Sequence, residues 1–382
     1  MITVIDAPCG YGKTNYMIKY MNDHPEMKFI YITPYLDECQ RILENVPNTV
    51  TPEAISGGKY KDFVNSVLFG ESIVTTHALF TDCHREITPF LERQNYTLIL
   101  DEVLNVVEVV DVKRSDIKTL VDSGCMELAE DNKIKWIKYD YDFRYNDLKI
   151  YCMYHDVYYV NNCVLVWVFP VSIFKAFKNT FICTYMFDCQ IQRYYYDYFD
   201  LKYEKVSVKD GKLIPYMFIP PALDKIHIDE NSPLNRVGNR INALSKTWYI
   251  NKKKAEIQKV GDNMYNFFHN ICKVRVKDTI WTTFKEFKHK SYVNGYWGGF
   301  VPSNIRATNQ YRDRFCIAYP INKYLHPSIK QFFQLKDILM DDDSYALSEL
   351  IQFLYRGAIR DNKDIYAYVP SKRMRKLINS LR

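Results

Sequence analysis

The sequence predicts an α/β protein built on parallel sheets. Short and almost continuous apolar segments, rich in β-branched residues, occur at residues 2–6, 28–33 and 96–100. Segments with helical spacing of apolar residues, such as 13–22 and 35–45, lie between them. Strands buried on both faces that alternate with helices are typical of a parallel sheet. Polar residues directly follow several of these strands, at the sheet edge where ligands gather.

The first strand leads into residues 7–14, Ala-Pro-Cys-Gly-Tyr-Gly-Lys-Thr, which match a phosphate-binding loop with Ala7 in place of the usual first Gly. Main-chain N–H groups of such a turn, and of the helix that follows it, point at an anion. Lys13 would meet the β- and γ-phosphates of a nucleotide, and Thr14 would offer its hydroxyl to Mg²⁺. The alternative is a chance match in an ordinary strand–turn–helix unit. The predicted nucleotide contacts are Pro8, Cys9, Gly10, Tyr11, Gly12, Lys13, Thr14 and Asn15.

A second signal lies at residues 96–102, where a buried strand ends in two adjacent carboxylates, Asp101 and Glu102. At the carboxyl edge of the sheet, Asp101 can hold Mg²⁺ through its water shell and Glu102 can polarise an attacking water. An isolated Asp-Glu pair after an apolar segment is common. Together with the loop upstream, the pair predicts hydrolysis of ATP with Mg²⁺ as cofactor.

Two other strand ends carry residues suited to contacts with the phosphates of a nucleic acid. A Thr-Pro pair follows the strand at 28–33, and Thr-Thr-His follows a strand at 72–76. A helix N-cap explains Thr76 equally well. The candidate nucleic-acid contacts here are Thr33, Pro34, Thr75, Thr76 and His77.

The net charge of +6 hides two unlike halves. Residues 1–190 carry 18 Lys and Arg against 26 Asp and Glu, whereas residues 191–382 carry 33 against 19. A basic half on an ATPase suggests a polyanionic partner, although a solvated basic surface without a partner is the alternative. Trp281, Tyr296 and Trp297 are possible stacking residues, with core packing favoured for Trp281.

Composition also indicates where the protein acts. No segment reaches the roughly eighteen uninterrupted apolar residues of a membrane helix. The ten cysteines lack metal-ligand spacing, so we expect neither a zinc site nor a disulfide framework. We therefore expect a cytoplasmic protein, in the host cytoplasm if the gene is viral, with no membrane partner.

The second half contains further strand patterns at residues 279–284, 315–319 and 364–369 and a helical pattern at 345–360. In that helix Gln352, Arg356 and Arg360 are spaced by four and would share one face. Such arginines can stabilise charge on a γ-phosphate in the transition state, and a solvated basic helix face is the alternative. Residues 105–175 are either an insert or part of the first domain.

Taken together, these motifs resemble the superfamily 2 helicases, in particular the small helicase-like proteins of tailed phages. Residues 7–14 resemble Walker A, Asp101-Glu102 resembles Walker B, and Gln352 with the two arginines resembles the last family motif. The resemblance implies two RecA-like parallel-sheet lobes in tandem, at residues 1–190 and 191–382, with ATP in the cleft between them. The resemblance assigns catalysis to Lys13, Asp101, Glu102, Gln352, Arg356 and Arg360, with Arg356 as the first choice for the arginine finger. It assigns Mg²⁺ binding to Thr14 and Asp101. It assigns further nucleic-acid contacts to Arg306, Thr308 and Asn309.

The resemblance implies an ATP-dependent helicase or translocase of phage DNA replication or recombination. DNA is a better candidate than RNA, and other phage replication proteins are candidate partners. Two alternatives stay open. One is the ATPase of a phage DNA-packaging machine, and the other is a switch that binds nucleic acid without unwinding it.

Overall fold

The computed structural model describes residues 1–303 and 310–381. These residues form two compact units, each containing a parallel sheet, which confirms the predicted α/β class. The first unit consists of Met1–Asp6, Gly12–Met217 and His326–Met340, and the second consists of Ala7–Tyr11, Phe218–Leu325 and residues 341–381. Among the described residues, no helix is long and apolar enough to cross a membrane.

Up to residue 217 the helices and strands follow one another in chain order as β1 Ile2–Asp6, α1 Lys13–Asp23, β2 Phe29–Thr33, α2 Leu36–Asn45, β3 Thr49–Val50, α3 Gly58–Phe69, β4 Ser72–Thr76, α4 His77–Thr81, α5 Thr88–Gln94, β5 Thr97–Asp101, β6 Val107–Val110, α6 Arg114–Asp122, β7 Met126–Leu128, β8 Ile134–Trp136, α7 Asn146–Tyr154, β9 Asp156–Val160, β10 Val164–Val168, α8 Val171–Ala176, β11 Asn179–Thr184, α9 Ile191–Tyr198, β12 Tyr203–Lys209 and β13 Lys212–Pro215. The later ones are β14 Ile226–Ile228, α10 Lys246–Asn251, α11 Lys254–Asn266, β15 Thr279–Trp281, β16 Cys316–Ala318, α12 Pro327–Gln334, α13 Asp342–Leu354, β17 Ile365–Tyr368 and α14 Lys372–Asn379.

The first unit is built on an eight-stranded sheet with the order β13-β12-β1-β11-β5-β2-β4-β3. All neighbouring strands are parallel except β12 and β13. The register places Asp6 beside Thr184, and Cys183 beside Asp101. The ends of β1, β11 and β5 therefore meet at one edge of the sheet, and the polar residues there are close neighbours.

The first unit extends further along the chain than the sequence predicted, to Met217 instead of residue 190. β12 pairs with β1 in parallel, and β13 then pairs with β12. Since β12 completes the first sheet, it cannot begin the second.

Residues 107–168 form an insertion between β5 and β11, strands that are neighbours in the sheet. The antiparallel strands β6, β10 and β9 and the hairpin β7–β8 carry α6 and α7. The insertion has a small core of its own, which includes Ile117, Trp136, Leu148 and Leu165. The insertion, residues 107–168, is shorter than the stretch 105–175 considered from the sequence, and it groups with the first unit.

A segment from the second half of the chain, residues 326–340, also belongs to the first unit. Its helix α12 packs against β6, β9 and β10. Phe332 and Phe333 are buried in the core of the first unit, and the Phe332 ring lies 4.5 Å from the Tyr198 ring. We call residues 326–340 the strap.

The second unit contains a parallel sheet with the order β14-β17-β16-β15. The predicted helix over 345–360 is wrong at its end, because α13 stops at Leu354. Gly357 follows in extended backbone, and a Cβ there would lie 2.6 Å from the carbonyl oxygen of Arg314. The chain turns at this close approach, so neither arginine lies on α13 with Gln352: Arg356 follows the end of the helix, and Arg360 lies in a separate 3₁₀ turn, Ala358–Asp361.

Candidate functional site

The loop after β1 turns through two glycines with left-handed backbone. Gly10 and Gly12 have φ angles of +91° and +84°, in the left-handed region that glycine adopts without steric cost. Gly12 is the N-cap of α1, and its carbonyl accepts the N–H of Tyr16 at 2.9 Å. The helix therefore begins at Lys13, and its first N–H groups lie where an anion would bind.

Asp101, the last residue of β5, lies at the centre of the site. The hydroxyls of Thr14 and Tyr31 each donate to its Oδ2 at 3.2 Å. His77 Nε2 lies 3.0 Å from the main-chain oxygen of Asp101. The sequence predicted Thr14 and Asp101 together, and the structure brings them into contact. The part of Tyr31 was missed, although it lies on β2, which pairs directly with β5.

The environment of Asp101 raises the pKa of its carboxyl to about 6. Burial is the main cause, and the neighbouring Glu102 carboxylate adds to it, whereas the Lys13 ammonium and the Thr14 hydroxyl act in the opposite direction. Lys13 is itself buried, with 7% of its surface exposed. The site thus holds a lysine and a carboxylate in a poorly solvated place, where the ammonium favours the charged form of the carboxylate.

Glu102 is held in an uncommon conformation, with a φ of +72°. Its N–H donates to the carbonyl of Cys183 at 2.8 Å, and Thr184 donates its hydroxyl to Glu102 Oε2 at 3.1 Å. A non-glycine residue in this region costs on the order of 1–3 kcal/mol and persists where its surroundings fix it. Both contacts come from the end of β11, so the neighbouring strand fixes the carboxylate.

Asp6, at the end of β1, ties the loop strand to the same neighbour. Its carboxylate accepts the N–H groups of Met186 and Phe187 at 2.8 and 3.0 Å. Burial is the main cause that raises the pKa of Asp6. Asp6 is not among the residues predicted from the sequence, although a carboxylate at the last position of a buried strand is a signal that could have indicated it.

The candidate nucleic-acid residues of the first unit differ in how far they are exposed. Thr33 and Thr75 are buried, whereas Pro34, Thr76 and His77 are partly exposed. The side chain of Thr76 accepts the N–H of Leu79 at 3.5 Å. Thr76 is therefore the N-cap of α4, which was the alternative explanation for this residue. The other three predicted contacts, Arg306, Thr308 and Asn309, lie outside the described residues.

The two arginines of the second unit differ in environment. Arg356 is 5% exposed, and its guanidinium donates to the carbonyls of Pro302 and Ser303 at 3.2 and 3.0 Å. Arg360 is partly exposed. Within the same unit a Cβ on Gly10 would lie 2.9 Å from the carbonyl oxygen of Arg360 and 3.4 Å from its Cγ. Arg356 thus anchors residues 302–303, whereas Arg360 lies beside the loop glycine.

Comparison with known proteins gives two family matches and one long relative. Residues 222–381 match the YonV C-terminal Rossmann-like domain, and residues 107–167, which form most of the insertion, match the YonV middle domain. Among solved structures, the chain is similar to S. tokodaii Xpd4, with a TM-score of 0.49 and 12% identity over 100% of this chain and 94% of that chain.

The relative is the "SPbeta prophage-derived uncharacterized protein YonV" of Bacillus subtilis (strain 168). It is 36% identical over 400 residues, which cover 99% of this chain and 97% of the relative. Similarity at this level extends over both units and the insertion. The chain therefore belongs to the YonV family.

Proposed function

We propose that this protein hydrolyses ATP and uses the energy to move on or unwind nucleic acid. The observation that carries the proposal is the hydrogen bond from Thr14 to Asp101, which joins the loop to a buried carboxylate. The loop offers N–H donors and Lys13 to phosphates, and β5 offers an acid to a metal ion. A loop that only connected a strand to a helix would require neither a buried lysine nor a carboxylate beside it.

The donors at the end of β5 suit Mg²⁺, which prefers oxygen ligands and keeps several of its waters. Thr14 and Asp101 would hold the ion, which when bound neutralises charge on the phosphates of the nucleotide. Lys13 would bind the β- and γ-phosphate oxygens. Glu102 would orient the attacking water and accept its proton, and the hydroxyl of Thr184 would keep that carboxylate in position.

For the arginine finger we propose Arg360 in place of Arg356. The guanidinium of Arg356 is buried and already donates to two main-chain carbonyls, so it is committed to residues 302–303. Arg360 lies in a short turn next to Gly10 of the loop. An arginine that approaches the γ-phosphate stabilises the charge that develops there. Gln352, partly exposed on α13, would assist in the same region.

The basic second half of the chain and the prophage origin of the relative favour nucleic acid as the partner. Residues 191–382 carry 33 Lys and Arg against 19 Asp and Glu, which suits a polyanion. We favour DNA because the relative is derived from a prophage, and we propose a part in phage replication or recombination together with other phage proteins. The proposed contacts are Pro34, Thr76, His77, Arg306, Thr308 and Asn309, and the predicted Thr33 and Thr75 are left out because both are buried.

The direct test compares ATP turnover of the full chain with no nucleic acid and with single-stranded DNA, forked DNA or RNA. We expect turnover that depends on Mg²⁺ and rises with DNA. Lys13→Ala should lower it by roughly a thousandfold or more, because phosphoryl transfer depends on positioning and charge. Lys19→Ala, at an exposed position of the same helix, is the matched control and should retain turnover. Equal turnover in Lys13→Ala and wild type would refute the site.

A strand-displacement assay on the same forked DNA separates the forms of the proposal. Displacement that requires ATP indicates a helicase. Turnover stimulated by DNA without displacement indicates a translocase or a switch.

A further inference from the structure

The second unit carries a cluster of rings and cations that the ATP site does not use. It is formed by two segments, residues 273–277 and 288–297. The hydroxyl of Tyr296 donates to the carbonyl of Val274 at 2.8 Å and fixes one segment to the other. We call the surface of these two segments the basic aromatic face, and its cations and rings are Lys273, Arg275, Lys277, Lys288, His289, Lys290, Tyr292 and Trp297.

Trp297 is the centre of this face. The His289 and Tyr292 rings lie 5.1 and 5.6 Å from the Trp297 ring, and Lys288 Nζ lies 4.2 Å from its centroid. Tyr292 is 44% exposed and Trp297 is partly exposed. Of the three aromatic residues that the sequence suggested for stacking, Trp281 and Tyr296 are buried. Trp297 is therefore the one that lies at the surface.

Hydrogen bonds hold the base of the face. Trp281 donates its indole N–H to the carbonyl of Tyr296 at 2.8 Å, and its ring lies 6.3 Å from that of Trp297. The guanidinium of Arg314 donates to the carbonyls of Thr279 and Gly298 at 2.8 and 3.3 Å. These contacts hold the turn that carries Trp297, so a partner would find the ring already positioned.

The charge of the face is positive. Residues 273–300 contain six Lys and Arg and two acids, Asp278 and Glu286. The carboxylate of Asp278 accepts the N–H of Arg275 at 3.2 Å, and Glu286 pairs with Lys246 at 3.2 Å. Both acids have partners, whereas most of the cations are exposed.

We propose that the basic aromatic face binds single-stranded nucleic acid, with phosphates on the lysines and arginines and bases stacked on Tyr292 and Trp297. Surface rings beside cations suit this ligand, because every base has a ring face that an aromatic side chain can cover. A duplex keeps those faces stacked inside, so it would contact only the cations. The proposal rests on the proposed function and names the substrate class, a single strand.

The test measures binding of a fluorescent oligothymidylate and of a duplex of equal length by anisotropy, with the full chain, without ATP and at several salt concentrations. Trp297→Ala should weaken oligothymidylate binding by about tenfold, because a base loses the ring on which it stacks. Duplex binding should change much less. Trp297→Phe keeps a ring and should restore most of the affinity.

Trp248→Ala is the matched control, since Trp248 also lies near a lysine, Lys252, in the same unit but outside the face. It should leave the affinity unchanged. Lys273→Gln with Lys277→Gln should flatten the salt dependence for both ligands, because phosphate contacts release counterions.

The outcomes separate the inference from the proposed function. If wild type binds oligothymidylate and Trp297→Ala, folded by its urea midpoint, binds it equally well, the face is a packing cluster and only the inference fails. If Trp297→Ala weakens single strand and duplex equally, stacking is refuted. If wild type binds neither ligand, the nucleic-acid part of the proposed function fails too.

Discussion

The two parallel sheets hold their buried charged groups in different ways. At the end of the first sheet, carboxylates accept hydrogen bonds, Asp6 from N–H groups and Asp101 and Glu102 from hydroxyls. Around the second sheet, guanidinium groups donate to main-chain carbonyls, Arg356 to residues 302 and 303 and Arg375 to residues 369 and 370.

This difference separates two kinds of charge. A carboxylate can gain a proton, so the charge at the end of the first sheet can change with pH. A guanidinium keeps its charge at every physiological pH, so the arginines around the second sheet differ only in where the chain places them. The first sheet therefore carries charges that can be titrated, and the second carries charges that are permanent.

The largest expected effect separates the two arginines of the second unit. Arg360→Ala should lower turnover by roughly a thousandfold, the range for an arginine finger, with an unchanged urea midpoint. Arg356→Ala should instead destabilise the fold by about 2–3 kcal/mol, because it leaves two carbonyls without their donor. Turnover and denaturation are measured on both. A reversal of the two results would restore Arg356 as the finger.

The next effect concerns the carboxylate fixed by β11. Glu102→Gln should lower turnover about a hundredfold or more while nucleotide binding persists, because it removes a proton acceptor but keeps the shape. Thr184→Val, which removes only the hydrogen bond to Glu102, should cost about tenfold. Single-turnover rates and binding of a fluorescent nucleotide are the measurements. Full activity of Glu102→Gln would remove Glu102 from catalysis.

A third prediction uses the raised pKa of Asp101, about 6 in the fold against an ordinary 3.8. Between about pH 4 and 6 the unfolded chain has lost this proton and the folded chain keeps it, so its contribution to stability falls as pH rises through the window. The difference in the free energy of unfolding between wild type and Asp101→Asn should change by about 3 kcal/mol across it. Urea titrations without nucleotide measure this, and a constant difference would contradict it.

The smallest expected effect concerns the turn that places Arg360. Gly357→Ala would bring a Cβ within 2.6 Å of the Arg314 carbonyl oxygen and 2.8 Å of Ile317 Cδ1. We expect a loss of about 2 kcal/mol in stability, since backbone cannot yield easily. Gly298→Ala, whose Cβ would meet only Val276 Cγ2 at 3.6 Å, is the control. Equal thermal midpoints for the two variants would show that the turn tolerates the methyl group.

The local sequence pattern predicted the loop, the Asp-Glu strand and the α/β class, because a strand and the turn that follows it are determined by consecutive residues. The prediction failed for features that depend on contacts between residues far apart in the sequence. The end of α13 depends on the approach of Gly357 to Arg314, and the extent of the first sheet depends on the pairing of β12 with β1. The contact of Tyr31 with Asp101 needs the order of the strands, which periodicity does not show.

The strap bears on which part of the chain could fold by itself. The stretch matched as a C-terminal domain, residues 222–381, includes α12, whose Phe332 and Phe333 are buried in the first unit. A fragment cut at that boundary would display two phenylalanines to water and leave their cavity empty in the remainder. An exchange of this stretch between two members of the family would therefore have to include the residues of the first unit that surround Phe332 and Phe333.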